Sequence, residues 1–406
     1  MSELIKTIKL CLHTTEEQEV LFRELTDQYR LACNYISQYV FDHNFILNTV
    51  KLHNIMYRDM RNVYGLKSQF ACSTFKTVVS KYKAVRTQLF QNPFKYKDEK
   101  GEWRYVKKTF EWLWKPIYFK RPQADLVCNK DYSFVGGGNI VSINTLGARV
   151  KCAYEKEHFK DYFDGTWKFG TAKLVEFKGI WYLHVSVTKE VNDFDKNNVN
   201  HIVGIDRGLR FIATMYDERG KTEFISGKKI ATKRDKFQKV REELQSKGTK
   251  SAKRRLKAMS GRENRWMTDV NHCISKTLVE QYGENTLFVL EDLSGVSFED
   301  SNLSKSAKQN RQLRSWAFYQ LEQFLSYKAM ENNSNVIKVS AKYTSQRCPI
   351  CGNIDKNNRD HKNHLYECEC GYKSNDDRVG AMNIYNLGLM WLAGVENPRY
   401  KLTTKK

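Results

Sequence analysis

Four cysteines near the C-terminal end are spaced to hold a metal ion. Two residues separate Cys348 from Cys351, one separates Cys368 from Cys370, and 16 lie between the pairs. Thiolates two or three positions apart on a tight turn can meet one tetrahedral ion, and Gly352 and Gly371 permit such turns. Four thiolates close the shell, so a structural zinc ion is expected rather than a catalytic one. Disulfide exchange is disfavoured, because both pairs come with knuckle turns and no thioredoxin-like context. His361 and His364, between the pairs, are spare ligands should the compressed second pair bind badly, and otherwise surface residues.

A second set is acidic: Asp206, Glu291 and one of the adjacent pair Asp376 and Asp377. Each alone reads equally well as a solvated or turn-capping carboxylate. Gathered closely, three carboxylates could not all stay ionised without cations. Two Mg²⁺ ions would neutralise them and still bind a phosphate, one activating water and the other stabilising a leaving 3′ oxygen. The product would be a cut phosphodiester with a 5′ phosphate. The residues by themselves do not choose between Asp376 and Asp377.

The surrounding pattern can gather them. IVGIDRGLRFIATMYDERGKTEFIS (202–226) reads as strand, turn, strand, turn, strand, with Asp206 ending the first. Lys228 to Arg265 is dense in Lys and Arg and helical in pattern where Gly does not interrupt it. An amphipathic helix is expected over Asp269–Tyr282, then a buried strand over Thr286–Leu293 with Glu291 near its end. A helix over 312–332, a strand over Val336–Ser340, the cysteine knuckle and a last helix near Asp377 complete the order. Three strands, helix, strand, helix, strand, helix can bring the acids together beside the central strand of a ribonuclease-H-like sheet.

Upstream, residues 3–12 read as a strand, and Thr14-Thr15-Glu16-Glu17 as a capped helix start. Apolar residues recur at helical spacing through Val20, Leu21, Leu25, Tyr29, Ala32 and Ile36, and a second helical pattern runs from Ser68 to Leu89. Residues 14–92 are therefore mainly helical. From Tyr96 the texture turns to aromatics, basic residues and strand-like runs, among them PIYFKRP (116–122), FVGGGNIVSI (134–143) and the alternating WYLHVSVTKEV (181–191). A small β-barrel or sandwich is expected there. Gly136-Gly137-Gly138 reads as a turn rather than a phosphate loop, since no helix with Lys-Ser/Thr follows. Residues 192–200 form a polar linker.

The totals favour a polyanionic partner. The 406-residue chain carries a formal net charge of +22, which points to nucleic acid. Its 22 Tyr, 22 Phe and 8 Trp, mixed with Lys and Arg, suit stacking on unpaired bases, although most will be core. No apolar run reaches the roughly 18 residues a membrane span needs, and MSELIKTIKLCL lacks the apolar core of a signal peptide. A prokaryotic cytosolic setting without disulfides is expected. The six scattered cysteines, Cys11, Cys33, Cys72, Cys128, Cys152 and Cys273, are expected to be small buried hydrophobes.

With those residues in hand, the chain resembles the TnpB family, transposon-encoded RNA-guided DNA endonucleases related to compact type V CRISPR effectors. The resemblance is carried by GIDRGLRFIAT (204–214), VLEDLSGV (289–296), WAFYQLEQFLSYKA (316–329), TSQRCPICG (344–352) and CGYKSNDDRVGAMNI (370–384), in the family's order. The first half matches loosely, through TTEEQ (14–18) and FKRP (119–122). Anchored on Asn383-Ile384, the family register takes Asp377 as third acid and leaves Asp376 as a helix-start or supporting residue. The chain departs with Val379 and Gly380 where the family has Asn-Ala, and its second cysteine pair is one residue tighter.

The resemblance implies an α/β multidomain protein. Its nuclease domain would be RuvC-like (200–343 and 376–406), with a zinc-ribbon insert (344–375) that binds target nucleic acid. A split wedge-like β-barrel (1–13 and 93–195) would carry a helical recognition insert (14–92). It implies Asp206, Glu291 and Asp377 as catalytic Mg²⁺ ligands and Cys348, Cys351, Cys368 and Cys370 as zinc ligands. The partners implied are a guide RNA, transposon-encoded omega RNA or CRISPR-type, and a double-stranded DNA target beside a short flanking motif. The complex would be a monomeric ribonucleoprotein, with guide pairing supplying most of the specificity. Three other readings compete: an RNA-guided repressor without cleavage, a transposase or nuclease independent of RNA, and a zinc-ribbon DNA-binding protein with incidental acids. Loss of an acid would mark the repressor, and all three acids are present.

Overall fold

The computed structural model describes residues 2–208, 210–293, 318–360 and 363–402. His361, residues 312–317 of the expected helix and part of the VLEDLSGV match lie outside them. The chain divides into two compact units, one of Ile5–Glu190 and one of Val191 onward with the first four residues.

In the first unit, β1 (Ser2–His13) leads into helices α1 (Glu16–Asp42), α2 (Thr49–Asn62) and α3 (Ser68–Gln91). Thr15 and Gln18 form a capping box that starts α1. The buried stripe of α1 runs through Phe22, Leu25, Tyr29, Ala32 and Ile36, whereas Val20 is exposed. The stripe is rotated from the expected one because Phe22 seats against Trp181, ring centroids 5.3 Å apart.

An isolated hairpin follows, β2 (Phe94–Lys97) with β3 (Trp103–Val106), and then β4 (Gln123–Val127), β5 (Tyr132–Val135), β6 (Ile140–Asn144), β7 (Arg149–Tyr154), β8 (Lys168–Phe177) and β9 (Ile180–Val191). With β1 the last six form a seven-stranded sheet in the order β4-β8-β9-β1-β7-β6-β5. It curls into half a barrel, which fits the barrel-like sheet expected, and its edge strands β4 and β5 meet only through one isolated bridge, Cys128 to Tyr132. Trp181, Leu183, Val185 and Val187 alternate into its core. PIYFKRP joins no strand: the Ser37 hydroxyl donates to Ile117 O (2.6 Å) and Phe119 N donates to Asn34 Oδ1 (2.7 Å). Helix side chains satisfy this backbone in place of a sheet ladder.

In the second unit, β10 (His201–Asp206), β11 (Phe211–Asp217), β12 (Thr222–Ser226), β13 (Thr286–Asp292) and β14 (Asn335–Ser340) form a sheet ordered β12-β11-β10-β13-β14. The first three strands are an antiparallel meander, and β13 and β14 add in parallel. Three helices, not one, separate β12 from β13: α4 (Lys228–Lys247), α5 (Lys250–Met259) and α6 (Arg262–Tyr282). α6 starts earlier than the amphipathic pattern, and Gly248 and Gly261 set the breaks before it in left-handed conformation. Helices α7 (Phe318–Glu331) and α8 (Asp376–Leu392) follow β13 and the knuckle.

Strand alternation divides the core in two. Val203, Ile205, Phe288 and Leu290 face α6 and α7. Leu287, Val289 and Val339 face Ile384 and Leu387 of α8. Gly204 of β10 therefore points at α8, and a β-carbon there would lie 2.3 Å from Ala381 O and 2.4 Å from Tyr385 N. Only a residue without a side chain lets helix and strand approach so closely. Of the scattered cysteines, Cys33 and Cys152 are buried, but Cys11, Cys72 and Cys128 are half-buried and Cys273 is exposed. Cys273 follows His272 on the side of α6 turned from its buried stripe.

Candidate active site

The alternation that buries Leu287 and Val289 also turns Glu291 toward the α8 face, two residues further along β13. Asp206 stands in the same phase as Gly204 and so emerges on that face too. The parallel register pairs Ile205 with Leu290, so Asp206 and Glu291 end adjacent strands side by side. α8 brings its own first turn to the same edge. Asn375 caps that helix, accepting from Asp377 N (3.0 Å) and Arg378 N (3.1 Å). One turn on, a β-carbon at Gly380 would lie 2.7 Å from Asp206 Oδ2. Asp377, three residues earlier, shares the helix face that meets Asp206.

The neighbouring charges are felt. Burial pushes the Asp206 carboxyl well above the usual carboxylate range, and the charges of Glu291 and Asp377 push it further. Glu291 is also raised by burial, opposed by the Thr344 hydroxyl and the Arg207 and Arg359 guanidinium groups. Thr344 Oγ1 donates to Glu291 Oε1 at 2.5 Å. Arg207 is buried and donates to Glu291 O (2.6 Å) and Glu322 Oε2 (3.2 Å), which fixes the end of β13 to α7.

The two adjacent aspartates are placed differently. Asp376 is fully buried, accepting from Arg359 Nε (2.8 Å) and from Asp377 N (3.0 Å). Asp377 is half-buried, 3.7 Å from Arg359 Nη2. His364 is neither a cysteine-cluster ligand nor a solvated residue. Its Nδ1 lies 3.3 Å from Asp376 Oδ1 and 3.8 Å from Asp377 Oδ2.

Among the described residues, donor atoms converge within 4.8 Å of one another at the four cysteines and at His364, Asp376 and Asp377. The second group is an ion-pair network, since Arg359 already supplies its positive charge. Asp206, Glu291 and Asp377 form a more open set. Three oxygen-donor carboxylates, two of which raise the protonation of the third, suit hard divalent cations such as Mg²⁺.

The knuckle sits directly before α8. Cys348 Sγ is 3.7 Å from Cys370 Sγ and Cys351 Sγ is 3.6 Å from Cys368 Sγ. Four converging sulfurs are the donor set of a closed tetrahedral site, and the tighter second pair still reaches it. The Cys351 thiol is drawn down to about 7, chiefly by the Asn353 amide. Three short strands, β15 (Arg359–Asp360), β16 (Leu365–Glu367) and β17 (Lys373–Asn375), carry the second pair. Val379 of α8 is buried against Cys348, Tyr366 and Cys368, so an apolar residue at this position packs under the knuckle. Asn383 Nδ2 donates to Thr344 O and Arg347 O, both at 2.7 Å. A single chain of contacts thus runs from α8 through Asn383 and Thr344 to Glu291.

Sequence reasoning named the three acids and four cysteines but missed Arg207, Thr344, Arg359, Gly380 and Asn383 as parts of the site. Arg207 and Thr344 carried a signal only in lying within the motifs GIDRGLRFIAT and TSQRCPICG. Arg359 carried none.

Residues 318–384 match the family model described as Cas12f1-like, TNB domain, and residues 184–295 match the one described as a probable transposase. A TnpB-like protein of Methanocaldococcus jannaschii is 29% identical over 242 residues, 57% of this chain and 82% of the relative. A CRISPR-associated endodeoxyribonuclease Cas12f1 of Sulfoacidibacillus thermotolerans is 28% identical over 224 residues, covering 51% of this chain and 50% of that one. A putative RNA-guided DNA endonuclease, InsQ, of Escherichia coli is 27% identical over 234 residues, 53% of this chain and 56% of that one. The chain thus spans most of the archaeal relative and about half the length of the other two.

Among solved structures, Cas12f1 in a cryo-EM complex with sgRNA and target DNA aligns with a TM-score of 0.57 at 12% identity, over 95% of this chain and 99% of that one. The mini-RNA-guided endonuclease CRISPR-Cas phi3 gives 0.57 at 11%, over 98% and 93%. At such identity the likeness concerns the fold alone.

Proposed function

We propose that this chain, a member of the TnpB family, is an RNA-guided DNA endonuclease with one RuvC-type site built from Asp206, Glu291 and Asp377. One observation carries the reading: adjacent parallel strands and the start of α8 present these three acids at one sheet edge. The solvent access of Asp377 beside the sealed, Arg359-paired Asp376 supports Asp377 as the third member. The name of the InsQ relative supports guidance by RNA, and that of the Cas12f1 relative supports cleavage of DNA.

The three acids would hold Mg²⁺, which supplies charge neutralisation, a nucleophile at neutral pH and stabilisation of the leaving oxygen. The chain's own groups do the positioning. Thr344 holds the Glu291 carboxylate, and Arg207 locks the strand end behind it. Arg359 holds Asp376 and thereby the first turn of α8. The four cysteines would hold a structural zinc, keeping Thr344 and the α8 N-terminus in register. The excess of 68 Lys and Arg over 46 Asp and Glu fits the many phosphates of an RNA–DNA complex.

Under this reading, residues 1–13 and 93–195 serve as the wedge and 14–92 as the recognition insert. Residues 200–343 and 376–406 form the nuclease, with 344–375 as the target-binding insert. The test is to sequence RNA that copurifies with the chain, then offer DNA complementary to its variable end beside a randomised flank. Cleavage in Mg²⁺, lost in EDTA and in Asp206→Ala with binding retained, is the expected result. Cleavage without RNA would favour the RNA-independent transposase reading.

A further inference from the structure

The β2–β3 hairpin stands apart from the seven-stranded sheet, as a separate two-stranded sheet. Every residue of both strands is exposed. A two-stranded hairpin is marginal in water by itself, and this one buries neither face. Its composition is unusual for a solvated loop. Trp103 is 58% exposed, Tyr105 61% and the nearby Trp114 81%. Exposed aromatics at this density mark a binding surface rather than a solvated tip.

The hairpin is nonetheless built. Its tip is tied by Asp98, which accepts from Lys100 N (3.0 Å), Glu102 N (2.9 Å) and Arg104 Nε (2.8 Å). Behind it, Phe110 stacks on Phe45 with ring centroids 4.6 Å apart, anchoring the connection to the helices.

The cross-strand register places Lys97 opposite Trp103 and Lys95 opposite Tyr105, on one face. Each ammonium lies over its partner ring, 5.4 and 5.6 Å from the centroids. Lys115 lies 4.1 Å from the Trp114 ring. Trp103 and Tyr105 are two residues apart, roughly 6.6–6.8 Å along the strand. That is about twice the 3.4 Å rise of stacked bases. Seven basic residues stand against four acidic ones between positions 94 and 115, and Asp98 is already held in the turn.

We propose that this hairpin is a stacking platform for an unpaired segment of RNA, with bases on Trp103, Tyr105 and Trp114 and phosphates on Lys95 and Lys97. Paired DNA hides its base faces, whereas unpaired RNA splays them onto aromatic side chains. The choice of RNA over single-stranded DNA rests on the guided-endonuclease reading, in which RNA is the resident strand.

The experiment uses the full chain. Ultraviolet crosslinking of the ribonucleoprotein as purified, followed by peptide mass spectrometry, should find nucleotide adducts within residues 94–115. On chain stripped of nucleic acid, affinity for a fluorescein-labelled oligouridylate of about 20 nucleotides should fall at least tenfold in Trp103→Ala/Tyr105→Ala/Trp114→Ala. Affinity for a DNA duplex and the Tm should stay unchanged, because each of these residues is more than half exposed. Trp103→Phe/Tyr105→Phe should retain binding. Equal loss on duplex and oligouridylate, stronger dependence for the deoxy strand than for RNA, or no loss at all would overturn the proposal. So would a wild-type dimer that the triple variant converts to monomer in light scattering. Absence of copurifying RNA would count against the guided reading, and the oligouridylate titration would still judge the hairpin.

Discussion

Gly380 faces the carboxylate of Asp206, with room for a hydrogen and not for a methyl group. A β-carbon at position 380 would sit 2.7 Å from Asp206 Oδ2 and 3.1 Å from its Cγ. Where the family pattern has alanine, this chain has given the space to the acid.

Gly380→Ala should therefore fold and fail to cut well. The group it meets is the end of a side chain, which can swing aside at little cost in stability. A displacement of about 1 Å at a catalytic group costs on the order of 10²-fold in rate. Single-turnover cleavage should fall by about that factor with target affinity and Tm close to wild type. Gly204→Ala should behave oppositely: its β-carbon meets helix backbone at 2.3 Å, so stability should drop by about 3 kcal/mol. Cleavage loss in Gly380→Ala that merely tracks a fallen Tm would refute this.

The adjacent aspartates should separate by the kind of damage they cause. Asp377→Ala should abolish cleavage and leave the melting curve nearly unchanged. Asp376→Ala leaves Arg359 facing a buried gap and should cost about 3 kcal/mol, the low end for breaking a buried pair because Arg359 keeps some hydration. Thermal melts beside cleavage assays on both variants check this, and equal melts would remove the supporting role given to Asp376.

Thr344→Val removes the hydroxyl held by Glu291 and keeps the shape. Partners behind metal-binding residues are worth about 10–100-fold. Cleavage should drop within that range at the Mg²⁺ concentration that just saturates the wild type and recover partly as Mg²⁺ is raised further, while DNA binding is kept. Thr344→Ser should restore most of the rate. A valine variant as active as wild type would show the 2.5 Å contact to be incidental.

Cys348→Ser opens the four-sulfur cluster. The expected result is loss of about one zinc per chain by elemental analysis, a lower Tm and reduced cleavage. The reduction follows because Val379 and Asn383 of α8 both rest on the knuckle. Unchanged metal content would overturn the zinc assignment.

Some of this was legible in the sequence. The cysteine spacing is local chemistry, since two thiols on one tight turn are adjacent whatever the rest of the chain does. The meander, the buried strand carrying Glu291 and the alternating β9 follow from period-two patterning. Other features needed long-range contacts. PIYFKRP looked like a strand because β-prone residues do not reveal that helix side chains will satisfy their backbone. Val20 fitted a helical stripe as well as Phe22 did until Trp181 chose between them. The split between Asp376 and Asp377 depended on Arg359, 17 residues away and invisible to any local pattern.

By itself the sequence determined the donor atoms: four thiols, three acids and a surplus of positive charge. The tertiary structure decided their distances, because a helix packs as closely on a strand as its smallest side chains allow. Gly204 is where β10 meets the backbone of α8, and Gly380 is where α8 meets Asp206. Period and spacing identify such residues only as glycines. What they make room for appears when the helix lies on the sheet.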